Sequence, residues 1–558
     1  MLSELIRDTF SLAVDTEFGR SLICPGGLFE VVEDDVLGER MAVFKNRETS
    51  IFNLLRASTA NNPDGEYLAD GERRLTYRKH MAAVGNLSRI LREEHGVRPG
   101  DRVGVFAANS LEWVIAFWAT LASGAVATAM NSYWSEPETQ AALQLTTPSI
   151  VMADERRAAM VGGAPVLKLD AALYHRITSE LAADPVTPDT HEDDLAILLF
   201  TSGTTGKAKA VVHSHRAVIG ITTCATFNTL LTMAAFPTEI PPPPRVLAAA
   251  PFFHLSGLYG GIVIYTAYGA LLVLRPGRFD EERTLKAIES EQITHWAPLG
   301  SAGPRVAAHP ARPKYDLSSL QMVSIGGAPM TPAVKHVLYE AFPKGMDSML
   351  MGYTSTESCG AVAVIRGPAF DEHPESTGPI QDGVQVRIRD DKGHDLPDGS
   401  EGLIHVRSPY TMLEFWNDPD TTARVYGPGR WLNMGDVGRI ENGLLYINSR
   451  ARDVIFVSSE NVFPSEVENR LEEHDAVVEA CVAGVEDPVT GQAVKAFVVL
   501  DGTGVVDEAA LTAWCRGGLP AYKVPTSWEI RTEALPRNAA GKILRDQLVA
   551  GHRSSPSM

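Results

Sequence analysis

The segment LAILLFTSGTTGKAKAVVHSH, at positions 195–215, places a polar loop directly after an apolar run. Glycines let backbone N–H groups approach phosphate oxygens, hydroxyls add donors and lysine supplies positive charge, so this composition suits a bound phosphate. A polar hairpin without a ligand is the alternative. The spacing is not the GxxxxGK[ST] of P-loop NTPases, so that fold is not implied. The candidate phosphate ligands are Thr201, Ser202, Gly203, Thr204, Thr205 and Lys209.

This loop resembles the phosphate-binding motif of the superfamily that contains acyl-CoA synthetases, peptide-synthetase adenylation domains and luciferases. Six further segments are similar to the other motifs of that superfamily, and they occur in the same order. They are PFFHLSG (251–257), VSIGGAPM (323–330), MGYTSTES (351–358), WLNMGDVG (431–438), SRARDVIFVSSENVFPSEVE (449–468) and LPRNAAGKILRD (535–546). The resemblance covers essentially the whole chain beyond the first fifty residues. It implies activation of a carboxylic acid as its acyl-adenylate, followed by transfer of the acyl group to the thiol of coenzyme A.

The resemblance also implies a nucleotide site built from several of these motifs. Asp436 is expected to accept the ribose hydroxyls with support from Arg450, and Tyr353 offers a flat face to adenine. Thr356 and Glu357 are expected at phosphate and Mg²⁺, since carboxylate oxygen is a preferred ligand of that ion. Taken singly, Glu357 is equally a helix-capping acid, Asp436 a turn-former and Tyr353 a core residue. The adenine pocket is further assigned to Gly326, Gly327 and Ala328.

The resemblance assigns catalysis and the acyl group to residues of other motifs. Lys542 follows a glycine near the C-terminus, and it is expected to bring its ammonium onto the carboxylate and α-phosphate oxygens. His254 lies in the segment that looks like the border of the acyl site, with a satisfied core histidine as the alternative. Small residues nearby leave room for an apolar, fairly bulky acid, unless they form only a tight turn. These small residues are Gly300, Ser301, Ala302 and Gly303.

Members of this superfamily rotate a small C-terminal domain between the two half-reactions. The hinge maps to Arg452, where most relatives carry aspartate or lysine, and the loop after it borders a tunnel for the thiol. Ser458 and Ser459 lie in that loop, with Ser459 in place of the family's glycine. The implied ligands are therefore ATP or AMP, Mg²⁺, coenzyme A and a small carboxylic acid.

The phosphate loop departs from the superfamily pattern, because it ends in Ala208, Lys209 and Ala210 where relatives have proline, lysine and glycine. If the glycine position needs a positive φ or a close approach to phosphate, alanine costs about 1 kcal/mol or more, and adenylation is expected to weaken. Three alternatives to a full acid:CoA ligase therefore stay open. They are an enzyme that forms only the thioester from preformed acyl-adenylate, a ligase that loads a carrier protein, and a non-catalytic AMP-binding protein.

These motifs need a framework of strands and helices to hold them. The segment 101–131 shows the pattern of a strand, a helix and a second strand, and similar alternation recurs, which favours mostly parallel α/β sheets covered on both faces. After about residue 380, short alternating runs divided by turn-formers predict a small antiparallel barrel or sheet. We therefore predict an α/β fold with a large domain at 1–450, whose β-rich part is at about 380–450, and a small mobile α+β domain at 451–558.

The bulk composition limits the function classes. The chain has 558 residues, enough for two or three domains, and 69 acidic against 50 basic residues give a net charge of -19. This charge has the wrong sign for gathering nucleic acid or anionic lipid through the overall field, so an anionic ligand needs a local site. The five scattered cysteines suggest no disulfide framework, and the N-terminal residues lack a secretory pattern. We expect a cytoplasmic protein, with the apolar stretches at 114–130 and 258–274 as buried helices and strands; a homodimer is left open.

Overall fold

The computed structural model describes residues 2–180, 185, 187–202, 208–234, 242–275, 277, 279–298, 302–325, 332–367, 369–450, 453–457, 460–487, 491–502, 506–537 and 543–553. Its strands are β1 (Val31–Val36), β2 (Glu39–Phe44), β3 (Glu66–Asp70), β4 (Arg73–Thr76), β5 (Arg102–Phe106), β6 (Val126–Ala129), β7 (Ile150–Ala153), β8 (Val166–Lys168), β9 (Leu195–Ser202), β10 (Ala208–Ser214), β11 (Arg245–Ala248), β12 (Leu271–Leu274), β13 (His295–Trp296), β14 (Met322–Ile325), β15 (Leu350–Thr354), β16 (Ala361–Arg366), β17 (Ser376–Pro379), β18 (Gln385–Arg389), β19 (Gly402–Arg407), β20 (Glu414–Phe415), β21 (Tyr426–Gly427), β22 (Trp431–Glu441), β23 (Leu444–Arg450), β24 (Ile455–Val457), β25 (Glu460–Val462), β26 (Val477–Asp487), β27 (Gly491–Leu500) and β28 (Ser527–Arg531).

The α-helices are α1 (Glu4–Thr9), α2 (Ser11–Val14), α3 (Glu17–Ile23), α4 (Ile51–Asn61), α5 (Tyr77–Glu93), α6 (Leu111–Ala122), α7 (Glu136–Thr146), α8 (Glu155–Ala158), α9 (Ala171–Thr178), α10 (His215–Ala234), α11 (Leu255–Leu258), α12 (Ile264–Ala267), α13 (Glu281–Ser290), α14 (Ala302–Ala307), α15 (Pro332–Ala341), α16 (Pro343–Asp347), α17 (Ala369–Glu372), α18 (Pro419–Val425), α19 (Pro464–Glu472), α20 (Glu508–Arg516) and α21 (Arg545–Arg553). A π-helical turn, Tyr259–Val263, joins α11 to α12. Short 3₁₀ turns occupy Arg312–Lys314, Pro428–Arg430 and Ala521–Lys523.

Two large sheets form the body of the fold. The first has the order β20-β10-β9-β6-β5-β7-β8, and the second has the order β16-β15-β14-β13-β11-β12-β3-β4. The inner strands of both sheets are parallel, whereas β10 and β20 at one edge of the first sheet, and β16 and β4 at the edges of the second, are antiparallel. The predicted α/β class with mostly parallel sheets is confirmed.

The apolar stretch at 114–130 explains why α6 and β6 form where they do. Ser110 caps α6 by accepting a hydrogen bond from the Trp113 N–H at 3.1 Å, and every residue of α6 is buried. Trp113 and Trp118 on this helix are among the largest fully buried side chains. Among the described residues, no helix combines the length and the hydropathy that a bilayer crossing requires.

A third, antiparallel sheet follows the two large ones. It has the order β17-β23-β22-β19-β18, with β21 paired to β22, and it runs from Ser376 to Arg450. Its apolar side chains form a core with Val211 of β10 and Phe415 of β20, so this sheet packs against the edge of the first large sheet. The predicted antiparallel β-rich part therefore exists, and β17 places its first strand slightly before residue 380.

The C-terminal segment has its own core. Strands β25-β24-β27-β26, with β28 parallel to β27, are covered by α19 and α20 through Val467, Leu471 and Leu511. The predicted boundary at residues 450 and 451 falls between β23 and β24, and residues 451 and 452 lie outside the described part. The boundary itself stays a prediction.

The first fifty residues form α1–α3 and the hairpin β1-β2. Phe10, Phe29 and Phe44 from this segment surround Phe227 of α10, with ring centroids 5.3 to 6.0 Å apart. This segment is therefore an extension that packs on the large body through an aromatic cluster.

Candidate active site

The predicted phosphate loop is a hairpin between β9 and β10. Thr201 faces Lys209 across the antiparallel pair, and Ala208 faces Ser202. The ammonium of Lys209 lies 5.3 Å from the ring centroid of Phe415, a cation–π distance. Gly203, Thr204 and Thr205 lie outside the described residues, as does the side chain of Ser202. The described part thus places Thr201 and Lys209 at the base of the hairpin.

The backbone at Ala210 does not need glycine. Ala210 lies within β10, paired with Phe200, and it is absent from the described residues that have a positive φ. Its methyl group is buried beside Phe106, Met130 and Phe200, and its carbonyl accepts a hydrogen bond from the Trp416 N–H at 2.8 Å. A positive φ at this position was one reason to expect weakened adenylation. The backbone of Ala210 does not supply that reason.

His213 on β10 ties the hairpin to the MGYTSTES segment. Its Nδ1 lies 2.6 Å from the Tyr259 hydroxyl, and its Nε2 lies 2.8 Å from the Thr356 carbonyl oxygen. Burial lowers the pKa of His213 to about 4, so the imidazole is neutral. Because a carbonyl only accepts, Nε2 donates to Thr356 and Nδ1 accepts from Tyr259. The sequence analysis missed this residue, although a histidine inside the apolar run that follows the loop was a visible signal.

Three predicted nucleotide ligands are brought together by β15, β22 and β23. The Tyr353 hydroxyl donates to Asp436, and the Arg450 Nε lies 2.9 Å from the other carboxylate oxygen. Asp436 and Arg450 are direct partners in the antiparallel pair β22-β23, which explains why their side chains meet. Burial and the adjacent carboxylate hold the pKa of Tyr353 well above its usual value, so the phenol stays protonated.

Thr356 and Glu357 lie in the turn that follows β15. The Thr356 carbonyl accepts from His213 and from the Cys359 N–H at 3.1 Å, and Cys359 has a φ of 63°, which closes the turn. The backbone carbonyl of Glu357 accepts a hydrogen bond from the Met412 N–H at 2.9 Å. The side-chain carboxylate of Glu357 has no hydrogen bond or ion pair with the described residues. The negative charge of Glu357 is also a minor cause of the raised pKa of Tyr353, after burial and Asp436.

The environment of Glu357 fits a magnesium ion. Within the described ranges, no group of three histidine, cysteine or acidic side chains is placed to hold a metal ion. Mg²⁺, however, is usually bound by one or two carboxylates together with substrate phosphates and water. A single carboxylate that has no partner among the described residues, on the turn that follows β15, matches that pattern.

His254 is a half-buried histidine with one unsatisfied ring nitrogen. Its Nε2 is buried and has no hydrogen-bond partner among the described residues, and burial lowers its pKa to about 4. The ring lies 4.5 Å from that of Phe253, which in turn meets Tyr133 edge-on at 5.8 Å. Among the described residues, His254 thus lacks the full set of partners that a satisfied core histidine would have, and its role at the acyl site stays a prediction.

The predicted small-residue wall of the acyl site receives less support. Gly303 lies in α14, and an added Cβ would stand 3.2 Å from Pro298 and 3.4 Å from Leu338. Helix packing alone thus explains its small size, and no described contact joins it to His254. Gly300 and Ser301 lie outside the described residues.

Several other predicted residues also lie outside the described part of the chain. They are Gly326, Gly327, Ala328, Arg452, Ser458, Ser459 and Lys542. The described neighbours of Lys542 are nevertheless anchored, because Arg545 lies 2.8 Å from Asp453 and 2.7 Å from Glu468. Arg537 pairs with Ile543 by a β-bridge across the intervening residues.

Comparison with known families identifies the fold. The profile of the AMP-binding enzyme matches residues 55–416, and that of the AMP-binding enzyme C-terminal domain matches residues 466–542. The chain belongs to the AMP-binding enzyme family. This AMP-binding enzyme is therefore a member of the predicted superfamily, and nucleotide binding follows from the family.

Relatives of the AMP-binding enzyme match it along most of its length. A feruloyl-CoA synthase of an Amycolatopsis species is 33% identical over 492 residues, which cover 87% of this chain and 96% of that protein. The 3-[(3aS,4S,7aS)-7a-methyl-1,5-dioxo-octahydro-1H-inden-4-yl]propanoyl:CoA ligase of Rhodococcus jostii is 30% identical over 518 residues, covering 86% of this chain and 94% of that protein. The structure of ATP-bound MatB from Rhodopseudomonas palustris superposes with a TM-score of 0.80 at 25% identity, over 91% of this chain and 99% of that one. These matches agree with the predicted class, an AMP-forming acid–thiol ligase.

Proposed function

We propose that this chain is an acyl-CoA ligase that activates an apolar, bulky carboxylic acid through its acyl-adenylate and transfers the acyl group to coenzyme A. The observation that carries the proposal is the cluster of Tyr353, Asp436 and Arg450 next to the unused carboxylate of Glu357. This cluster supplies a grip for ribose and a ligand for a phosphate-bound cation in one place. Both are needed for adenylation and neither is needed for core packing.

In the first half-reaction, a carboxylate oxygen of the acid bonds to the α-phosphorus of ATP, and the bond from that phosphorus to the β-phosphate oxygen breaks to release pyrophosphate. Positive charge at the phosphates would come from Lys209 at the base of the hairpin and from Lys542. Glu357 would hold Mg²⁺, whose charge offsets that of the leaving pyrophosphate. Thr201 to Thr205 would add hydroxyl and backbone donors.

In the second half-reaction, the sulfur of coenzyme A bonds to the acyl carbon, AMP leaves with the electrons of the broken C–O bond, and the thiol proton passes to solvent. We propose that the segment 451–558 turns about Arg452 relative to the segment 1–450 between the two steps. Ser458 and Ser459 would then border the path of the thiol. These assignments rest on the motif resemblance.

The size of the acid is inferred from the acyl side of the site. His254 and Phe253 form one wall, and the π-helical turn that follows contains Gly260, where an added Cβ would meet no atom within 4 Å. The two relatives described above are named for feruloyl and for a methyl-dioxo-octahydroindenyl propanoyl group, both of which contain rings. A ring-bearing acid therefore fits the proposal better than a short-chain acid.

The alternatives remain distinguishable. The half-reaction enzyme was suggested by Ala208 and Ala210, and the ordinary strand backbone of β10 removes the positive-φ part of that suggestion. A carrier protein in place of coenzyme A is left to experiment. A non-catalytic AMP-binding protein is disfavoured by Glu357, which no described residue neutralises or bonds through its carboxylate.

The proposal is tested in two separate assays. Acid-dependent exchange of pyrophosphate into ATP measures adenylation, and synthetic acyl-AMP supplied with coenzyme A measures thioester formation. A full ligase is active in both assays. Thioester formation without exchange would replace it with the half-reaction enzyme, whereas exchange without acyl-CoA would point to another acceptor. Loss of both activities with intact AMP binding would overturn the enzyme proposal.

Lys542→Ala separates the two steps. Removing one preorganised donor in a catalytic site typically lowers the rate about 100- to 1000-fold, so pyrophosphate exchange is expected to fall by that factor. Thioester formation from supplied acyl-AMP is expected to change much less. Lys314→Ala, which removes an exposed lysine, is the matched control. An equal loss in both assays would contradict the role in adenylation.

A further inference from the structure

The residues on either side of the stretch that contains Lys542 meet at one place in the C-terminal segment. Arg537 and Ile543 pair as an antiparallel β-bridge, and the Leu544 N–H donates a hydrogen bond to the Pro536 carbonyl at 2.8 Å. Lys542 directly precedes Ile543 in the sequence. The chain therefore leaves the fold and returns to it at a point that backbone hydrogen bonds define.

Side chains fix that point against the C-terminal sheet. Arg537 forms an ion pair with Glu479 of β26. Leu535 and Ile543 pack in one apolar cluster with Phe497 of β27. Contacts with β26 and β27 thus set the position at which the lysine-bearing stretch is attached.

Arg545 connects this attachment point to the residue that follows the proposed hinge. Its guanidinium lies 2.8 Å from the carboxylate of Asp453 and 2.7 Å from that of Glu468 on α19. Asp453 is the neighbour of Arg452 in the sequence, and Arg545 comes three positions after Lys542. One side chain therefore joins the two stretches to which the motif resemblance assigns function in this part of the chain.

Formation of helix α21 does not explain this arginine. Arg545 is the first residue of α21, where a positive charge opposes the helix dipole. The helix has its own attachment to the sheet, because Leu548 is 3% exposed and packs in the cluster that contains Cys481 and Phe497. The ion pairs of Arg545 therefore supply a connection to Asp453 that the apolar packing of α21 does not.

The three charged side chains are largely withdrawn from solvent. Arg545, Asp453 and Glu468 are 28%, 19% and 15% exposed. The Glu468 carboxylate also accepts a hydrogen bond from the Val482 N–H of β26 at 2.7 Å, so it is fixed by a second contact. Exposed ion pairs contribute little, whereas removal of one partner from a buried, hydrogen-bonded pair has a large effect.

We infer that Arg545 is a positioning residue for the adenylation step, and that it acts by fixing the attachment point of the lysine-bearing stretch relative to the hinge. The inference rests on the proposed ligase function, in which Lys542 supplies charge to the reacting phosphate. A misplacement of about 1 Å in a catalytic group can lower a rate about 100-fold. Thioester formation, which is assigned to another orientation of the C-terminal segment, depends less on this contact.

Arg545→Met removes the charge and keeps most of the length of the side chain. In pyrophosphate exchange, kcat and kcat/KM for ATP are expected to fall together by about 10- to 100-fold, because the lost positioning acts on the transition state. Thioester formation from supplied acyl-AMP is expected to change much less. Arg545→Lys, which keeps a positive charge without the planar fork, is expected to recover part of the loss.

The same substitution in the Lys542→Ala background distinguishes positioning from a purely structural role. Arg545→Met is expected to cause little further loss of exchange there, because residues that act as one unit are not additive. A further loss as large as that in the wild-type background would overturn the inference. An equal loss in the two half-reactions would also overturn it.

The matched control is Arg470→Met. Arg470 also lies in the C-terminal segment and pairs with Glu473 at 2.6 Å, but its guanidinium packs on Trp514 of α20, 4.0 Å from the ring centroid. This variant is expected to lose stability without separating the two half-reactions. If Arg470→Met lowered exchange as selectively as Arg545→Met, the inference would be wrong.

Asp453→Asn tests the same contact if Arg545→Met does not fold, because it removes one of the two charges that face the guanidinium. A selective loss of exchange in Asp453→Asn supports the inference. Exchange that both variants leave at the wild-type rate would overturn the inference and leave the ligase function standing. No exchange by the wild-type enzyme with any acid would instead overturn the proposed function.

Discussion

The carboxylate of Asp436 is held from two sides, by the hydroxyl of Tyr353 and by the guanidinium of Arg450. An ionised carboxylate offers about four lone-pair positions, which suits a group proposed to accept hydrogen bonds from ribose hydroxyls. Only 4% of Asp436 is exposed, which means that its charge depends on these partners. These two contacts fix the orientation of the carboxylate.

Asp436→Asn keeps the shape of the side chain and removes its charge. The kcat/KM for ATP in pyrophosphate exchange is expected to fall about 10- to 100-fold, because Arg450 loses its counter-charge and one acceptor is replaced by a donor. Asp64→Asn is the matched control, since Asp64 also pairs with an arginine but its side chain is 80% exposed. An unchanged kcat/KM in Asp436→Asn would remove this residue from the nucleotide site.

At the same scale, the sequence predicted Asp436, Arg450 and Tyr353 because each lies in a recognisable motif. His213 escaped it, because the significance of this histidine depends on which groups surround it. A polar residue in an apolar strand gives the same sequence pattern whether or not its side chain is hydrogen-bonded in the fold. Only the bonds to Tyr259 and Thr356 distinguish the two cases for His213.

Among the elements, the N-terminal helix α2 depends on a carboxylate far away in the chain. Asp382, which is fully buried, accepts a hydrogen bond from the Leu12 N–H at 2.9 Å, and its other oxygen is without a partner among the described residues. Burial raises the pKa of Asp382 to about 7. The Cys224 thiol and the Tyr410 ring both lie beside the next residue, Gly383, where an added Cβ would stand 2.5 Å and 3.5 Å from them.

Asp382→Asn is expected to stabilise the protein in alkaline solution. A folded-state pKa above the ordinary 3.8 means that ionisation of Asp382 opposes folding, with no cost below pH 3.8 and the full cost above pH 7. The asparagine keeps the acceptor for Leu12 and has no charge, so the free energy of unfolding at pH 8 should rise by about 1–3 kcal/mol. Urea unfolding at pH 8 and pH 4 measures the difference, and Asp382→Ala, which loses the acceptor, serves as the control. A variant less stable than wild type at pH 8 would contradict this account.

The order of the elements was largely predictable, and their contacts were not. Apolar runs near 101–131 predicted a βαβ unit, and β5, α6 and β6 occupy those positions because the runs are buried on all sides. The packing of the first fifty residues on α10 could not be read from periodicity, because it depends on Phe10, Phe44 and Phe227 meeting across the fold. Likewise, an alanine in the phosphate motif suggested strain that the strand backbone of β10 does not contain.

The molecule as a whole buries several histidines in neutral form. Burial lowers the pKa of His80 to about 3 and that of four others to about 4. These four are His213, His215, His254 and His295. Between pH 6.5 and pH 4 these histidines are protonated in the unfolded chain but remain neutral in the folded protein. The free energy of unfolding is therefore highest above pH 6.5 as far as these residues are concerned, and it falls as the pH falls toward 4. The acids Asp382 and Glu472, whose pKa values are raised to about 7, act in the opposite direction.

His213→Gln measures how much His213 contributes to this pH dependence of the free energy of unfolding. The variant should be less stable than wild type at pH 7, since Tyr259 and Thr356 lose part of their bonding, and the gap should narrow as the pH falls from 6.5 to 4. For a group buried this fully, the pH-dependent part is about 3 kcal/mol. Urea unfolding across that range, with His373→Gln as an exposed control, measures it. A gap that is constant with pH would show that His213 is not held neutral.

Arg450 is the final residue of β23, and the proposed hinge begins two positions later. The side chain that pairs with Asp436, the carboxylate proposed to bind ribose, therefore belongs to the same stretch of backbone that would twist when the C-terminal segment turns. A change of backbone torsion there would act directly on the Arg450–Asp436 ion pair, because the two residues face each other across β22 and β23. Release of AMP and rotation of the C-terminal segment would in that case be coupled. AMP would then leave most readily while the segment turns.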